Sequence, residues 1–285
     1  MKTLKKTLDQ NLNNVVKNNG ETEPFLINKV YNSALRAGAS FSLAKEISLE
    51  IEKEIYPGIK TFEIFKKVKE KLKNKDPQLS IKFNLKEGMK KLGPEGFLFE
   101  EFIKKVLSNY LKVKDGRIIS GRASKYELDF LAEDDKKIYA GECKYRNKLK
   151  CVIDINVCLK SFAILEDIKE NLIFQNKEPA SFIVTNSKFT IEAVKYSNYK
   201  GISLLGWRYP AKRGLERLIE EKKLYPATIL PSLRGQLISI FEREGIILAK
   251  EVLNINIEEF SKQFKISKIS LSKIKEEAEI LINKK

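Results

Sequence analysis

The order of helical and strand-like segments between residues 97 and 206 limits the possible folds more than any other feature of this sequence. The predicted segments are a helix at 97–111, strands at 116–120, 126–132 and 137–145, a helix at 156–171, a strand at 181–185, a helix at 190–199 and a strand at 202–206. Strands that follow one another directly form hairpins, whereas strands joined by a helix pair in parallel. The sequence therefore predicts a mixed α/β fold in which helices pack on both faces of a sheet.

The segments on either side of this region have different patterns. In the first 90 residues, Asn19 and Gly20 lie between two apolar stretches, which is a strong hairpin signal, and helical patterns follow at 28–37, 42–56 and 61–73. Pro226 and Pro231 interrupt the chain before a helical C-terminal segment. We therefore predict three domains, at 1–90, 91–228 and 229–285, and we expect the core to stay folded without the last one.

The charge of the chain favours a polyanionic partner. A formal net charge of +16 suits nucleic acid, although a lysine-rich, solvated surface has the same composition. No apolar run approaches the ~18 residues that span a bilayer, and the N-terminal segment becomes polar too early for a signal peptide. The three cysteines form no CxxC pair and so indicate reduced thiols. The composition predicts a soluble, cytoplasmic protein with no membrane partner.

The chain contains no histidine. A histidine general base and a histidine metal ligand are therefore both excluded. Phosphodiester hydrolysis by this chain would need carboxylates, lysine and a hard metal ion such as Mg²⁺.

Two neighbouring predicted strands carry the residues suited to that chemistry. Glu142 and Lys144 lie two positions apart and so share one face of their strand. On the preceding strand, Asp129 is expected to point away from the side of Leu128 and Phe130. If the strands pair as a hairpin, Asp129 and Glu142 converge on one Mg²⁺ ion and Lys144 lies beside the attacking water. A surface ion pair on an edge strand is the alternative, because the D-x₁₂-E-x-K pattern alone is common.

These residues belong to longer stretches that resemble the Mrr-type restriction endonucleases of the PD-(D/E)xK superfamily. The stretches are GPEGFLFEEFIKKVL, SGRASKYELDFLAEDDKKIYAGECKYRN and FIVTNSKFTIEAVKYSNYKGISLLGW, which together cover most of residues 93–225. The family's G-x-x-F-E motif corresponds to Gly96, Phe99 and Glu100, its metal-binding aspartate to Asp129, its E-x-K to Glu142 and Lys144, and its T-N-S-x-F-T to residues 185–190.

The resemblance implies a restriction-endonuclease-like α/β/α core with a metal-dependent site. In that site Asp129 and Glu142 bind Mg²⁺ or Mn²⁺, and Lys144 assists the attacking water. Glu100 is implied to support the metal, although its neighbour Glu101 could take the same role. The four residues Glu100, Asp129, Glu142 and Lys144 are therefore the predicted catalytic set.

The segment VVKNNGETEPFLINKV resembles the start of an ATP-cone, the small α+β nucleotide-sensing domain known from ribonucleotide reductases. Its V-x-K-R-D-G motif, with a later Phe and a Lys, is matched at Val15, Lys17, Gly20, Phe25 and Lys29, with Asn18 where arginine is usual. The resemblance covers about residues 12–85 and implies that Lys17 and Lys29 bind the phosphates of ATP or dATP. Because ATP-cone states are usually different oligomers, it also implies a homo-oligomer, a dimer or larger. A hairpin with solvated lysines is the alternative.

The C-terminal segment resembles a helix-hairpin-helix tandem, with Gly245 as the first hairpin glycine and residues 267–270 as the second turn. Such hairpins present backbone N–H groups to DNA phosphates, whereas an ordinary helical interaction module would show the same Ile/Leu stripe. The whole chain is thus predicted to be a metal-dependent DNA endonuclease regulated by a nucleotide. The alternative function is a nucleotide-responsive DNA-binding protein without cleavage. Plain, methylated and branched DNA all remain open as substrates, as does the sign of the ATP effect.

Overall fold

A computed structural model describes residues 14–93, 97–147, 151–174 and 176–283, and the chain divides into two compact units between Asn84 and Leu85. Gly96 of the predicted G-x-x-F-E motif lies outside the described residues, and so do the first 13 residues, the segment that is expected not to be a signal peptide. In the part of the chain that is described, no helix is both long and apolar enough to cross a membrane.

The first unit combines a hairpin with helices. Its described elements are β1 (Asn14–Val16), β2 (Thr22–Pro24), α1 (Ile27–Arg36), α2 (Phe41–Lys53), α3 (Thr61–Lys75) and α4 (Pro77–Phe83). The predicted hairpin is confirmed: β1 and β2 are antiparallel, and the Lys17 N–H donates to the Glu21 carbonyl at 2.8 Å. Gly20 closes the turn with a φ of 80°, a left-handed conformation that glycine adopts at little cost.

Helix α4 was not predicted, because the stretch after residue 73 is rich in charged residues and turn formers. Proline is nevertheless tolerated in the first turn of a helix, where its missing N–H would have no partner. Pro77 occupies that position, and the Asp76 carboxylate caps the helix by accepting from the Gln78 N–H at 2.8 Å. Residues whose sequence is typical of a loop thus form the start of α4.

The second unit contains the predicted sheet. Its described helices are α5 (Leu85–Met89), α6 (Phe97–Leu107), α7 (Ile155–Ile168), α8 (Ile191–Lys200), α9 (Leu215–Glu221), α10 (Gln236–Arg243), α11 (Ile257–Phe264) and α12 (Lys268–Asn283). Its described strands are β3 (Lys112–Ser120), β4 (Lys125–Glu133), β5 (Lys137–Lys144), β6 (Glu178–Thr185) and β7 (Ser203–Leu205). The strand order is β3-β4-β5-β6-β7, antiparallel as far as β5 and parallel from β5 to β7. The predicted mixed α/β class and the predicted order of elements are confirmed.

Helices cover both faces of this sheet. Ile138 and Ala140 of β5 pack with Ile168 of α7. Tyr145 directly follows β5 and lies an odd number of residues from Ile138 and Ala140. It packs against Phe99 of α6, with ring centroids 5.6 Å apart. Because alternate residues of a strand point to opposite faces, α6 and α7 lie on opposite sides of the sheet.

The C-terminal segment is part of the second unit and not a body of its own. Thr228 donates its hydroxyl hydrogen to the Gly88 carbonyl at 2.8 Å, and Lys105 of α6 donates to the Gly245 carbonyl at the same distance. Phe241 is buried within the unit. Removing this segment would uncover apolar surface, and the expectation that the core stays folded without it stays a prediction.

The second predicted turn of the tail is displaced. The turn between α11 and α12 lies at 265–267, and residues 268–270 already form the first turn of α12. Lys265 ends α11 with a φ of 53°, in a region that glycine usually occupies. The sequence offered no glycine signal at this point, which is why the turn was misplaced. Gly245, with a φ of 69°, does lie in the turn after α10.

Candidate active site

The candidate site lies where β4 and β5 separate. Backbone pairing of the two strands ends at Phe130 and Gly141. Asp129 directly precedes Phe130 on β4. Its side chain replaces the backbone pairing at this point, since its Oδ2 accepts a hydrogen bond from the Cys143 N–H at 2.6 Å. The two residues that flank Cys143 are the glutamate and the lysine of the E-x-K motif. The aspartate is therefore held beside the end of the strand that carries its predicted partners.

Two glycines allow the strands to approach closely enough for this arrangement. A Cβ at Gly116 on β3 would lie 2.0 Å from the Leu128 carbonyl oxygen and 2.5 Å from that of Asp129. A Cβ at Gly141 would lie 2.4 Å from the ring of Phe130. A side chain at Gly116 would push the β4 backbone away, and one at Gly141 would displace the buried Phe130 ring beside the aspartate, so both glycines help to place Asp129.

The alternation of β4 is interrupted at the aspartate. Leu128 and Leu131 both belong to the apolar core beneath α7, although residues three apart point to opposite faces of a regular strand. Phe130 packs on the other side against Phe182, with ring centroids 5.9 Å apart. The expectation that Leu128 and Phe130 point the same way is therefore wrong. The irregularity leaves the aspartate half-buried at the strand end.

The carboxylates of the site influence one another. Burial is the largest cause that raises the pKa of Asp129 to about 6, and the charges of Glu142 and Glu100 contribute to this shift, whereas the hydrogen bond from Cys143 opposes it. Burial also raises the pKa of Glu100, while Lys104 opposes that shift. These acids are thus close enough for their charges to repel, and a cation among them would stabilise their ionised forms.

The end of β5 is fixed by polar contacts with β6 and the loop after it. Lys144 forms an ion pair with Glu142, and its backbone carbonyl accepts the Thr185 hydroxyl hydrogen at 2.6 Å. Asn186 accepts from the Arg146 N–H at 2.8 Å and donates to the Arg146 carbonyl at 2.9 Å. The first two residues of the T-N-S-x-F-T motif therefore act as positioning residues for the E-x-K strand.

The structure separates the two glutamates of α6. Glu100 is the one whose charge acts on Asp129, whereas Glu101 pairs with Lys104, which also contacts Asp115 at 2.8 Å. Across residues 14–93, 97–147, 151–174 and 176–283, no three cysteine, aspartate or glutamate side chains are arranged to hold a metal ion by themselves. A metal here would need ligands from water or substrate in addition to the protein.

A cleft opens between the E-x-K residues and α7. Its wall on α7 is formed by Val157, Lys160, Ser161 and Ile164. Sequence reasoning missed Lys160, which adds an exposed positive charge to the cleft. The spacing i, i+3, i+4, i+7 places these four residues on one helix face and could have indicated them.

The two lysines predicted to bind nucleotide meet in the first unit. Their Nζ atoms lie 2.9 Å (Lys17) and 2.7 Å (Lys29) from the carboxylate of Glu23. Hydrogen bonds from Lys17 and then Lys29 lower the pKa of Glu23. A largely apolar groove adjoins them, and its lining includes Phe25 and Phe65. The structure thus brings these lysines together, in a different unit from the predicted catalytic residues.

Comparison with known proteins gives three matches. A family profile described as AF1548-like, C-terminal, matches residues 225–282. An uncharacterized protein of Archaeoglobus fulgidus is 33% identical over 143 residues, which are 50% of this chain and 78% of that protein. The crystal structure of a protein of unknown function, AF1548, is similar with a TM-score of 0.56 and 27% identity, over 66% of this chain and 99% of its own.

Proposed function

This chain belongs to the AF1548-like family, and from its own site we propose that it is a Mg²⁺-dependent DNA endonuclease regulated by a nucleotide. The observation that carries the proposal is the mutually repelling acid group of Asp129, Glu142 and Glu100, with Lys144 beside it, at the point where two strands separate. Buried acids with raised pKa values next to a lysine are typical of catalytic sites. The resemblance to Mrr-type enzymes assigns the same four residues.

The donor set fits Mg²⁺ or Mn²⁺. Asp129 and Glu142 offer only oxygen atoms, which hard divalent cations prefer. Magnesium usually binds through one or two carboxylates and completes its octahedron with waters and substrate phosphate, so two protein ligands suffice. When bound, the ion would polarise the phosphodiester and activate water.

The remaining residues of the site would position and stabilise. Lys144 carries a positive charge where negative charge develops on the phosphate, and its ammonium can also orient the attacking water. The ion pair with Glu142 holds that ammonium in place before substrate binds. The Cys143 N–H fixes the Asp129 carboxylate. Glu100 on α6 would support the metal when it is bound.

Metal dependence is the direct test of this proposal. We expect the full-length chain to cut DNA in the presence of Mg²⁺ or Mn²⁺ and to lose that activity in excess chelator. Plain, methylated and branched duplexes should be compared side by side, because the site does not distinguish them. Undiminished cleavage in chelator would contradict the metal mechanism. Tight DNA binding without cleavage of any substrate would support the alternative, a nucleotide-responsive DNA-binding protein.

The partners that we propose are DNA, a regulatory ATP or dATP, and further copies of this chain in a dimer or larger oligomer. A two-fold dimer would set two active sites on one duplex, which suits a nuclease that cuts both strands. We propose a cytoplasmic location, in keeping with the unpaired state of all three cysteines.

The C-terminal turn gives a second prediction. Lys265 and Lys268 are exposed at the junction of α11 and α12. If this junction contacts DNA, Lys265→Gln with Lys268→Gln should weaken binding and reduce the slope of log K against log salt by about 0.9 per lost phosphate contact. Lys195→Gln with Lys222→Gln removes the same charge from exposed positions elsewhere and should leave the slope unchanged. If both double variants have the same slope of log K against log salt, this junction does not contact DNA and the tail is an interaction module.

A further inference from the structure

A second concavity of the second unit lies at the carboxyl ends of the parallel strands. Its walls come from α5 and from the segments that follow β5, β6 and β7, and its volume, including the open mouth, is about 750 Å³. Arg146 lies in the wall after β5, Lys188 after β6 and Trp207 after β7, while Lys86 comes from α5 and Lys90 directly follows that helix. We refer to it as the basic pocket.

The basic pocket concentrates positive charge. Lys86, Lys90, Arg146 and Lys188 line it, and no acidic side chain is among the described residues that do so. Lys90 pairs with Glu87 at 2.6 Å, whereas neither Lys86 nor Lys188 has an acceptor among the described residues. Although Lys86 reaches solvent, desolvation lowers its pKa, and repulsion from Lys90 and other nearby cations lowers it further. An anion in the pocket would relieve this repulsion.

Trp207 adds a buried donor to the pocket wall. It is 5% exposed, and its indole Nε1 has no hydrogen-bond partner among the described residues. A buried N–H without an acceptor is unfavourable and rare in folded proteins. A ligand with acceptor oxygen atoms would satisfy it.

The pocket wall is also rigid. Asn186 holds the backbone of Arg146 through two hydrogen bonds, and Ser187 donates to the Cys151 carbonyl. Among the described residues, the Arg146 guanidinium donates one hydrogen bond, to the Tyr145 carbonyl at 3.1 Å, which leaves most of its donors available. A planar guanidinium on a fixed backbone is well suited to bind phosphate oxygens in pairs.

We propose that the basic pocket binds a phosphate monoester, as carried by a mononucleotide or by the phosphorylated end of a DNA strand. A monoester carries about −1.5 to −2 charge at neutral pH and offers three acceptor oxygens, which matches several cations and a buried donor better than the single charge of an internal diester. The inference does not require cleavage. If the chain is a nuclease, a DNA end held by Arg146 would be bound by a residue only two positions after Lys144 in the sequence.

The chain provides its own probe, because Trp207 is its only tryptophan. We expect the emission of Trp207 to change on titration with dTMP and with a 5′-phosphorylated oligonucleotide, but not with thymidine or the 5′-hydroxyl oligonucleotide. Inorganic phosphate should compete with both ligands. All titrations are made in the presence of chelator, which prevents metal-dependent cleavage of the oligonucleotide. The measured binding therefore does not depend on whether the chain is a nuclease. If only dTMP binds, the ligand is a free nucleotide. If dTMP and the 5′-phosphorylated oligonucleotide both bind, the ligand is the phosphorylated end of a DNA strand.

Variants test the pocket by calorimetry. Lys86→Gln with Lys188→Gln should weaken dTMP binding by ~10-fold or more, because charge-assisted hydrogen bonds are lost. Lys195→Gln with Lys222→Gln, a double variant of equal charge outside the pocket, should bind like the wild type. Trp207→Phe, which removes the N–H and keeps an aromatic ring, should also bind more weakly.

Arg146→Gln provides an independent variant if the lysine pair proves unstable, since its backbone contacts with Asn186 do not involve the guanidinium. Equal affinity for dTMP and thymidine would overturn the proposal. So would wild-type affinity in the well-folded pocket variants.

Discussion

Replacing Lys144 with alanine is expected to lower DNA cleavage by roughly two or more orders of magnitude, about the loss that follows removal of one preorganised electrostatic group. The ion pair with Glu142 and the buried Thr185 hold this lysine in position, so its charge is fixed before substrate arrives. Alanine removes the charge and leaves the backbone contact with Thr185 intact. Single-turnover rates in Mg²⁺ measure the effect, and DNA binding should survive.

Asp129→Asn should cause a loss of similar size by a different route. Asparagine keeps a side-chain oxygen that can accept from the Cys143 N–H, so the strand end should stay in place while the negative charge is lost. Glu101→Gln is the matched control, because Glu101 pairs with Lys104, whereas the glutamates whose charges raise the pKa of Asp129 are Glu142 and Glu100. Wild-type rates for both Lys144→Ala and Asp129→Asn, with unchanged thermal unfolding, would place the chemistry elsewhere.

Much of the second unit could be predicted because its local patterns agree with its fold. The buried stretch SFIVT forms the C-terminal part of β6, where the strand is covered on both faces and its residues form a nearly continuous apolar run. Thr190, the first residue of the helix predicted at 190–199, caps α8, because its hydroxyl oxygen accepts a hydrogen bond from the Ala193 N–H at 3.1 Å. Such signals are local, so they survive without knowledge of tertiary contacts.

Other features depend on contacts that no local pattern carries. The irregular path of β4 at Asp129 is enforced by the close approach of Gly116 and by the Cys143 N–H, which belong to the two neighbouring strands. The packing of the tail depends on contacts such as that of Lys105 with the Gly245 carbonyl, 140 residues apart in sequence. The spacing of apolar residues within one segment can reveal neither the path of β4 nor the packing of the tail.

Local sequence patterns reveal the residues of the candidate site but not those of the basic pocket. The E-x-K pair is visible in sequence because both residues lie on one strand face, and Asp129 is one hairpin away. Lys86, Lys188 and Trp207 come from three separate segments and meet only where the parallel strands end. From sequence alone, a single buried tryptophan cannot be distinguished from a packing residue.

ATP or dATP is expected to shift the oligomeric state of the chain and to change its cleavage rate without being hydrolysed, since the sequence has no phosphate-binding G-x-x-x-x-G-K-[ST] loop. A nucleotide in the first unit can alter a site that it does not touch only by binding two protein states with different affinity. The convergence of Lys17 and Lys29 on Glu23 motivates this prediction. Triphosphate oxygens would compete with that carboxylate for the same two ammonium groups.

Lys17→Ala with Lys29→Ala should therefore abolish the shift, as sedimentation velocity with and without nucleotide can measure. Lys45→Ala with Lys73→Ala removes equal charge from exposed positions of the same unit and should respond like the wild type. Glu23→Gln should act in the opposite direction, because it removes a negative charge that repels phosphate, frees Lys29 and leaves Lys17 only its longer contact with Glu21 at 3.8 Å. The shift should then need less nucleotide. Tight nucleotide binding with no change in mass or cleavage rate would contradict a regulatory role, since a ligand with equal affinity for both states shifts neither.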